Sequence, residues 1–502
     1  METPKSHPAS PRAWAGAGIA ASLAGIAAAH LIAAVTEPRA APLSAISDVV
    51  IAAMPPAVTA WAIETFGTAD KPLLLAGLAA GLIAVAALAG LAWRKRPPAA
   101  AAIIAVLALA GAGAAATRPG LSLAAALPSL LAGAIALSVL AWWSGRGRTA
   151  TVTGRRWFLA AVAGVGAAAL AGSLLVRRFG PASAEADRDA LTLPDADVPA
   201  PDPGAADLDV GGLSPWQTPN ADFYRIDTAI TTPAVDVDTW SLTVRGMVDT
   251  ERTYSFDDLL GRELIERDIT LCCVSNPVGG ELVGNARWLG VSLADLLAES
   301  GPDPAADQLV SRSVDGFTAG SPTDLVFDGR DALVAVGMNG VPLPVDHGWP
   351  ARLIIPGLYG YVSATKWVTE LELTTFGAYD PYWIQRGWDG PGPIKTASRI
   401  DTPRSKADSG TVTVAGVAWA QHRGISAVHL QIDDGEWTEC ELSEVPSGDT
   451  WRQWRFDWEA DSGDHSLTVR ATDGDGNIQT SDVTGVKPNG ATGLHSIAIT
   501  VA

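Results

Sequence analysis

Residues 270–280 read TLCCVSNPVGG and contain two of the chain's three cysteines side by side. The residues just before the pair, RDITL at 267–271, are typical of a strand, and the Ser, Asn, Pro and Gly that follow it are turn formers. This order places a cysteine where a strand ends and a turn begins. A thiolate in such a position can bind a single heavy metal or act as a nucleophile.

Charge divides the 502-residue chain into a basic, apolar first third and an acidic remainder. Residues 1–180 hold 14 Lys and Arg against 5 Asp and Glu, whereas residues 181–502 hold 21 against 49. This division is typical of a membrane part joined to a soluble part. The acidic part argues against nucleic acid as a partner, because phosphate binding requires basic patches. Three cysteines, two of them adjacent, do not form a disulfide framework.

The first third contains five apolar runs of about the length that a bilayer requires, roughly 17 to 25 residues. Residues 43–66 are also mostly apolar but include two prolines and two acidic residues, so we expect a re-entrant or interfacial segment there. His30 is the only histidine in a predicted span, so the chain alone does not supply two histidines to a haem. The predicted spans are residues 13–35, 73–93, 100–117, 122–143 and 157–176.

Basic clusters next to the predicted spans indicate the orientation of the chain. With five spans, the clusters at residues 5–12, 94–96 and 146–156 all lie on the cytoplasmic side, and the acidic remainder is extracytoplasmic. Arg177-Arg178, outside the fifth span, goes against this rule. Residues 153–159, TGRRWFL, resemble a twin-arginine export signal, a route that carries folded, cofactor-loaded proteins. An ordinary basic helix flank is the alternative.

Beyond the predicted spans, composition divides the chain into three parts. Residues 181–212 are rich in Pro, Ala, Asp and Gly with few large apolar side chains, so we expect a flexible linker. Residues 213–392 interleave strand-like runs with short helices that begin at Ser255 and Ser292, which indicates an α+β domain. Residues 393–502 contain short strand-like runs separated by Asp-Gly and Ser-Gly turns, which indicates a β-sandwich.

Several short motifs resemble the sulfite oxidase family of molybdopterin-dependent oxidoreductases. In that family a strand ends in a Cys that is followed two residues later by Gly-Asn, and here CVSN at 273–276 has Ser275 in place of the Gly. The resemblance covers about residues 213–502. It continues in the family's order through NARWLGV at 285–291, MNG at 338–340, HGWPAR at 347–352 and KW at 366–367.

The resemblance implies a Mo-molybdopterin cofactor, whose two sulfurs bind molybdenum, with Cys273 as the protein ligand of the metal. Cys272 then faces the other side of the strand and is expected to be a small buried apolar residue, and Cys440 a buried thiol. Arg225 is expected to face the metal and take part in catalysis. The residues implied to bind the cofactor are Tyr224, Arg225, Cys273, Ser275, Asn276, Ser321, His347, Arg352 and Lys366.

The resemblance implies that the cofactor, with its anionic phosphate, is held by three basic residues, His347, Arg352 and Lys366. Arg offers a bidentate fork to phosphate and Lys a point charge. Taken singly, His347 could cap a turn beside Gly348, Arg352 could be a surface charge, and Lys366 could extend its ammonium into solvent. Only their joint order favours a cofactor site.

Two departures from the family's pattern bear on the substrate. Pro277 and Val278 stand where sulfite-oxidising members carry arginines. Those members also place a tyrosine near the metal after a run that reads WIQRGWD here, at 383–389, and Ile226-Asp227 replaces the Asn-His of animal and plant members. Fewer positive side chains weaken the binding of an anion. Sulfite is therefore not favoured over a neutral substrate such as a sulfoxide.

The sequence thus predicts a multi-domain protein, with a transmembrane helical bundle at 1–180, an acidic linker at 181–212, a sulfite-oxidase-type α+β molybdopterin domain at 213–392 and an immunoglobulin-like β-sandwich at 393–502. The predicted function is oxygen-atom transfer on sulfite or a sulfoxide-like substrate by a membrane-anchored extracytoplasmic enzyme. A separate electron-transfer protein such as a cytochrome is expected, since no haem or iron–sulfur motif is visible, and the chain is expected to dimerise. The alternative is a non-catalytic membrane receptor or scaffold without cofactor.

Overall fold

Two units make up the chain in the computed structural model, which describes residues 10–36, 40–55, 58, 61, 65–66, 70–118, 123–146, 184–229 and 232–502. The helical unit contains Met1–Ser183 with Ala229–Ala234, and the β-rich unit contains Ala184–Thr228 with Val235–Ala502. The boundary between the two units lies where the basic, apolar composition gives way to the acidic one.

The described part of the helical unit is built from long helices. Four segments are long and apolar enough to cross a membrane, namely Pro11–Ala33, Leu73–Lys95, Pro97–Ala116 and Leu123–Ser144, and they coincide with the first four predicted spans. Helix α2 has 12 residues, fewer than a span requires. The fifth predicted span and the twin-arginine stretch lie outside the described residues. The α-helices of this described part are α1 (Pro11–Thr36), the shorter α2 (Pro42–Ala53), α3 (Asp70–Lys95), α4 (Pro97–Ala116) and α5 (Leu127–Arg146).

Small residues let the helices of this unit pack closely. Gly18 on α1 lies against Gly90 on α3, and a side chain at either position would collide with the backbone of the other helix. Gly25 on α1 approaches Ala132 on α5 in the same way. Because lipid tails are as apolar as the side chains, close packing of this kind holds membrane helices together.

The first part of the β-rich unit combines two sheets with short helices, as an α+β fold requires. The sheets are ordered β2-β1-β10-β5-β6 and β3-β4-β7-β8, and β9 also pairs with β7. As predicted, Ser255 and Ser292 begin short helices, where each hydroxyl accepts a hydrogen bond from a backbone N–H. The elements are β1 (Ser241–Gly246), β2 (Arg252–Ser255), α6 (Phe256–Leu260), β3 (Ile265–Cys272), β4 (Val283–Ser292), α7 (Leu293–Ala298), β5 (Gln308–Ser313), β6 (Thr318–Pro322), β7 (Leu333–Met338), β8 (Val341–Pro342), β9 (Arg352–Ile354), α8 (Gly360–Ser363) and β10 (Val368–Thr374).

The C-terminal part of the unit consists of two further sheets, ordered β11-β13-β17-β16 and β12-β19-β18-β14-β15. Both sheets bury apolar side chains in one shared core, with Val414 and Trp454 from the first and Leu430 and Val469 from the second. The strand-like runs of the sequence therefore form a two-sheet sandwich. Its strands are β11 (Ala397–Thr402), β12 (Lys406–Ala407), β13 (Gly410–Trp419), β14 (Ile425–Ile432), β15 (Thr438–Glu439), β16 (Glu441–Leu442), β17 (Arg452–Ala460), β18 (Gly463–Asp473) and β19 (His495–Val501).

Residues of this sandwich also bond to strand β3, which lies at the edge of its own sheet. Thr270 N donates to Asp449 O at 2.9 Å, and the Thr270 hydroxyl accepts a hydrogen bond from Trp451 N at 2.7 Å. Gln421 Nε2 donates to Thr270 O at 2.9 Å. The C-terminal residues therefore complete the strand that leads to Cys273.

The predicted flexible linker differs from what the structure shows for its described residues, 184–212. After a short helix at 184–190, the segment runs extended along the β-rich unit. Glu266 N donates to Val198 O at 2.9 Å, and Leu208 N donates to Gln453 Oε1 at 2.7 Å. Composition predicted a tether because the segment has few apolar side chains to bury. Its backbone hydrogen bonds hold it in place instead.

Candidate active site

Cys272 ends strand β3 and Cys273 follows it, and the two cysteines line different cavities. Cys273 N donates to Leu282 O at 2.9 Å, and Asn276 N donates to Cys273 O at 3.0 Å, which turns the chain directly after the strand. Both thiols are buried. Cys273 lines one cavity, which we call the Cys273 cavity, and Cys272 lines another, the Cys272 cavity. The expectation that the two side chains face opposite directions is confirmed.

The Cys273 cavity has about 840 Å³ of empty space, including its opening to solvent. Its floor contains three buried basic residues that different elements contribute: His347 at the end of a 3₁₀ turn, Arg352 at the start of β9, and Lys366 just before β10. Tyr224 and Ser275 also line it. Six of the nine residues that the family resemblance assigns to the cofactor therefore meet at one cavity, namely Tyr224, Cys273, Ser275, His347, Arg352 and Lys366.

Arg352 is the least satisfied of the three basic side chains. Its Nη1 donates to His347 O at 3.1 Å, and its guanidinium lies 5.0 Å from the ring centre of Trp288. Among the described residues, its buried Nε has no hydrogen-bond partner. Burial lowers the pKa of Arg352 to about 10. A buried guanidinium without a carboxylate is costly, so this position favours an anion in the cavity.

Lys366 and His347 have partners that fix their orientation. Lys366 Nζ lies 2.8 Å from Asp227 Oδ2 and donates to Asp346 O at 3.0 Å. Burial nevertheless lowers the pKa of Lys366 to about 8, although Asp227 opposes the change. His347 Nε2 lies 3.0 Å from Asn220 O, and since a carbonyl only accepts, Nε2 carries the proton. Burial, helped by Arg352, lowers the pKa of His347 to about 4, so its ring is neutral at pH 7.

These side chains fit a cofactor with a phosphate and one soft metal. The Arg352 guanidinium and the Lys366 ammonium suit an anionic group, because one offers a planar fork and the other a point charge. Burial raises the pKa of Cys273, and hydrogen bonds from Ser275 oppose the rise. A bound metal cation would keep this thiol deprotonated, and a thiolate is the ligand that a soft metal prefers.

Three of the predicted cofactor residues lie elsewhere. Asn276 lines the Cys272 cavity, where its Oδ1 accepts a hydrogen bond from Leu282 N at 2.9 Å and supports the turn. Ser321, on β6, is buried and donates to Val362 O at 2.5 Å. Arg225 is 42% exposed and forms ion pairs with Asp227 at 3.1 Å and with Asp346 at 2.8 Å. Arg225 therefore orients the carboxylates of Asp227 and Asp346 near Lys366. It is not among the residues that line the Cys273 cavity.

The opening of the Cys273 cavity contains residues that the motifs did not identify. Trp383 and Trp388 line it together with Phe317, Tyr361 and Asp315. The two tryptophans come from the run WIQRGWD, which the sequence marked only as a departure from the family. Phe317 and Asp315 lie in the turn between β5 and β6, which no motif covers. The high aromatic content of the run at 383–389 was the one feature of the sequence that could have indicated these residues at the opening of the cavity.

A family model described as the oxidoreductase molybdopterin binding domain matches residues 229–383. The human mitochondrial sulfite oxidase is 27% identical over 317 residues, which cover 53% of this chain and 58% of that protein. An uncharacterized oxidoreductase, YuiH of Bacillus subtilis, is 29% identical over 178 residues, covering 36% of this chain and 86% of that one. The chain thus spans little more than half the length of the sulfite oxidase it matches.

Among solved structures, the sulfane dehydrogenase SoxCD of Paracoccus pantotrophus has a similar fold. The two align with a TM-score of 0.50 and 21% sequence identity, over 57% of this chain and 83% of that one. The family model, the relatives and the shared fold agree with a cavity that is lined by the buried Cys273, Arg352 and Lys366. Residues 229–383 therefore form a molybdopterin-binding oxidoreductase domain, and the chain is similar to the sulfite oxidases over about half of its length.

Proposed function

We propose that the chain is a membrane-anchored oxidoreductase that uses Mo-molybdopterin to transfer an oxygen atom to or from a small substrate. The observation that carries this proposal is the meeting of Cys273 with the buried Arg352 and Lys366 at one cavity, where Arg352 lacks an anionic partner among the described residues. When bound, the cofactor supplies a metal that exchanges oxygen and electrons with the substrate.

The protein's own residues would bind the cofactor and orient it. Cys273 would ligate the metal, while Arg352 and Lys366 would hold the anionic part of the cofactor. His347 donates through Nε2 to Asn220 O, which leaves its Nδ1 as an acceptor for a cofactor N–H. Arg225 positions Lys366 indirectly, through their shared partner Asp227.

A sulfoxide-like substrate is favoured over sulfite. Pro277 and Val278 stand where the resemblance leads one to expect arginines, but they line the Cys272 cavity and so bring no positive charge to the Cys273 cavity. The opening of the Cys273 cavity has Trp383, Trp388 and Asp315 instead. A carboxylate there repels a sulfite dianion but not a neutral sulfoxide. In the reductive direction the sulfur–oxygen bond breaks, the sulfur gains two electrons, and the oxygen leaves as water with two protons.

The sequence and the helical unit support the cellular setting that we propose. Four described helices long enough to cross a membrane support an anchoring role, and the basic clusters support an extracytoplasmic catalytic part. Electrons would come from a separate protein such as a cytochrome. We also propose that the C-terminal sandwich is immunoglobulin-like and joins two copies of the chain.

The metal and pterin content of the purified full chain tests this function, with Cys273→Ser beside Cys272→Ser as the matched control. Both variants are expressed with the cofactor pathway present. We expect near-stoichiometric molybdenum and pterin in the wild type and in Cys272→Ser, and an altered metal spectrum only in Cys273→Ser. A well-folded wild type that holds neither molybdenum nor pterin would overturn the proposal in favour of a receptor or scaffold.

A further inference from the structure

Aromatic side chains surround the opening of the Cys273 cavity. The ring centre of Trp388 lies 5.9 Å from that of Tyr361 and 6.1 Å from that of Trp383, and Phe317 lines the same opening. Trp383, Trp388 and Phe317 are only half-buried, whereas Arg352 and Lys366 on the floor are buried. The aromatic faces therefore lie on the solvent side of the cavity, where a substrate enters.

One carboxylate that lines the cavity beside these aromatic side chains, Asp315, has no cationic partner within the part of the chain that the structure describes. Asp315 accepts hydrogen bonds from Phe317 N at 3.1 Å and from the Thr228 hydroxyl at 3.4 Å, and it forms no ion pair among the described residues. These two donors orient the carboxylate but leave it with spare acceptor positions, since an ionised carboxylate has about four. Asp227, the other carboxylate of the cavity, differs because Lys366 neutralises it at 2.8 Å.

A carboxylate among aromatic faces is the arrangement that proteins use to bind alkylammonium groups. The negative charge attracts the cation, while the faces of the rings replace the water that its methyl groups lose. The same loop already holds one cation on a ring, because the Arg386 guanidinium lies 3.5 Å from the ring centre of Tyr382. Tyr382 itself is outside the residues that line the cavity.

We propose that the substrate of this enzyme carries an alkylammonium group, which Asp315 binds within the aromatic wall of Trp383 and Trp388. This inference rests on the proposed function, since it places the ammonium at the opening and the oxygen-bearing atom toward Cys273. The anion-binding groups of the floor are then reserved for the cofactor. The residues at the opening of the Cys273 cavity would then select the substrate, because they accept a cationic or neutral molecule and repel an anion.

Two sulfoxides of the same shape test this proposal: 2-(trimethylammonio)ethyl methyl sulfoxide and its neutral carbon analogue, 3,3-dimethylbutyl methyl sulfoxide. The full, molybdenum-loaded chain reduces each in detergent, with a reduced viologen dye as the electron donor. We expect kcat/KM to be roughly tenfold higher for the ammonium compound, mostly through KM. Equal kcat/KM values for the two sulfoxides would overturn the proposal.

Variants identify the carboxylate responsible. In Asp315→Asn the ratio of the two kcat/KM values should fall to about one, whereas Asp315→Glu, which keeps the charge, should retain part of the preference. Asp380→Asn is the matched control, because Asp380 is exposed in a nearby loop and does not line the cavity. An unchanged ratio in Asp315→Asn, or an equal loss in Asp380→Asn, would contradict the assignment to Asp315.

The alkylammonium site and the proposed sulfoxide reduction can be disproved independently of each other. If the fully loaded enzyme reduces neither sulfoxide, sulfoxide reduction is wrong. Calorimetric titration of the full chain with the two compounds then tests recognition alone. Binding of the ammonium compound that is roughly tenfold tighter than that of its neutral analogue, and that is weakened in Asp315→Asn, would still support an alkylammonium site. No difference in binding would overturn it.

Discussion

The Cys273 cavity and the Cys272 cavity are each lined by one cysteine of the adjacent pair, and basic side chains line both. The two cavities differ in whether these basic side chains have partners within the protein. In the Cys272 cavity, Arg423 lies 3.0 Å from Asp473, and Lys395 donates to the backbone oxygen of Gly490 at 2.6 Å. In the Cys273 cavity, Arg352 has no carboxylate partner among the described residues. Charges that are paired within the protein maintain its fold, whereas a charge left unpaired by the fold is suited to a ligand.

The sharpest test of this comparison replaces the central arginine of each cavity with Met. Arg352→Met should lose most of its pterin and molybdenum, while the cofactor-free chain becomes more stable by about 1 kcal/mol, because a buried unpaired charge is removed. Arg423→Met should keep the cofactor but lose about 2 kcal/mol of stability, because Asp473 is left buried and without its guanidinium. Metal analysis and thermal unfolding of the full chain measure both quantities. Loss of cofactor in both variants would contradict the inference that only the Cys273 cavity binds the cofactor.

The pH dependence of stability tests whether the floor of the Cys273 cavity excludes water. Burial lowers the pKa of His347 to about 4 in the folded chain, against about 6.5 in the unfolded chain. Between these values the unfolded chain binds more protons, so stability should fall as the pH drops from 6.5 toward 4, by up to about 3 kcal/mol.

His347→Gln is the matched variant, because an amide N–H can keep the hydrogen bond to Asn220 O without titrating. The loss of stability between pH 6.5 and 4 should shrink in this variant when cofactor-free protein is unfolded thermally at each pH. An identical pH profile in both proteins would show that the imidazole is exposed to water.

The smallest effect concerns Ser321, which the family resemblance assigns to the cofactor but which is buried and does not line the Cys273 cavity. Ser321→Ala removes the hydrogen bond to Val362 O and should cost about 1 kcal/mol of stability without changing the pterin content. Ser275→Ala, at a residue that lines the cavity, is the comparison. Pterin loss in Ser321→Ala alone would reverse the two assignments.

The strand ending at the cysteine pair and the helix starts at Ser255 and Ser292 were predictable, because alternation, turn formers and capping residues act over a few neighbours. The positions of the Arg225 and Asn276 side chains could not be predicted from the sequence. Both lie next to residues that line the Cys273 cavity, but motif order does not say which way a side chain points. Asp315 and Trp388 were missed because they come together only when separate loops meet.

Thr270 N donates to Asp449 O and the Thr270 hydroxyl accepts from Trp451 N, and these late partners have a consequence for biosynthesis. Translation proceeds from the N-terminus, so Thr270 leaves the ribosome long before its partners do. Until then, the edge of β3 presents unpaired backbone groups, which invite pairing with other chains. The strand beside Cys273 is therefore completed only after Trp451 has been synthesised, and we expect the cofactor to be inserted after that point.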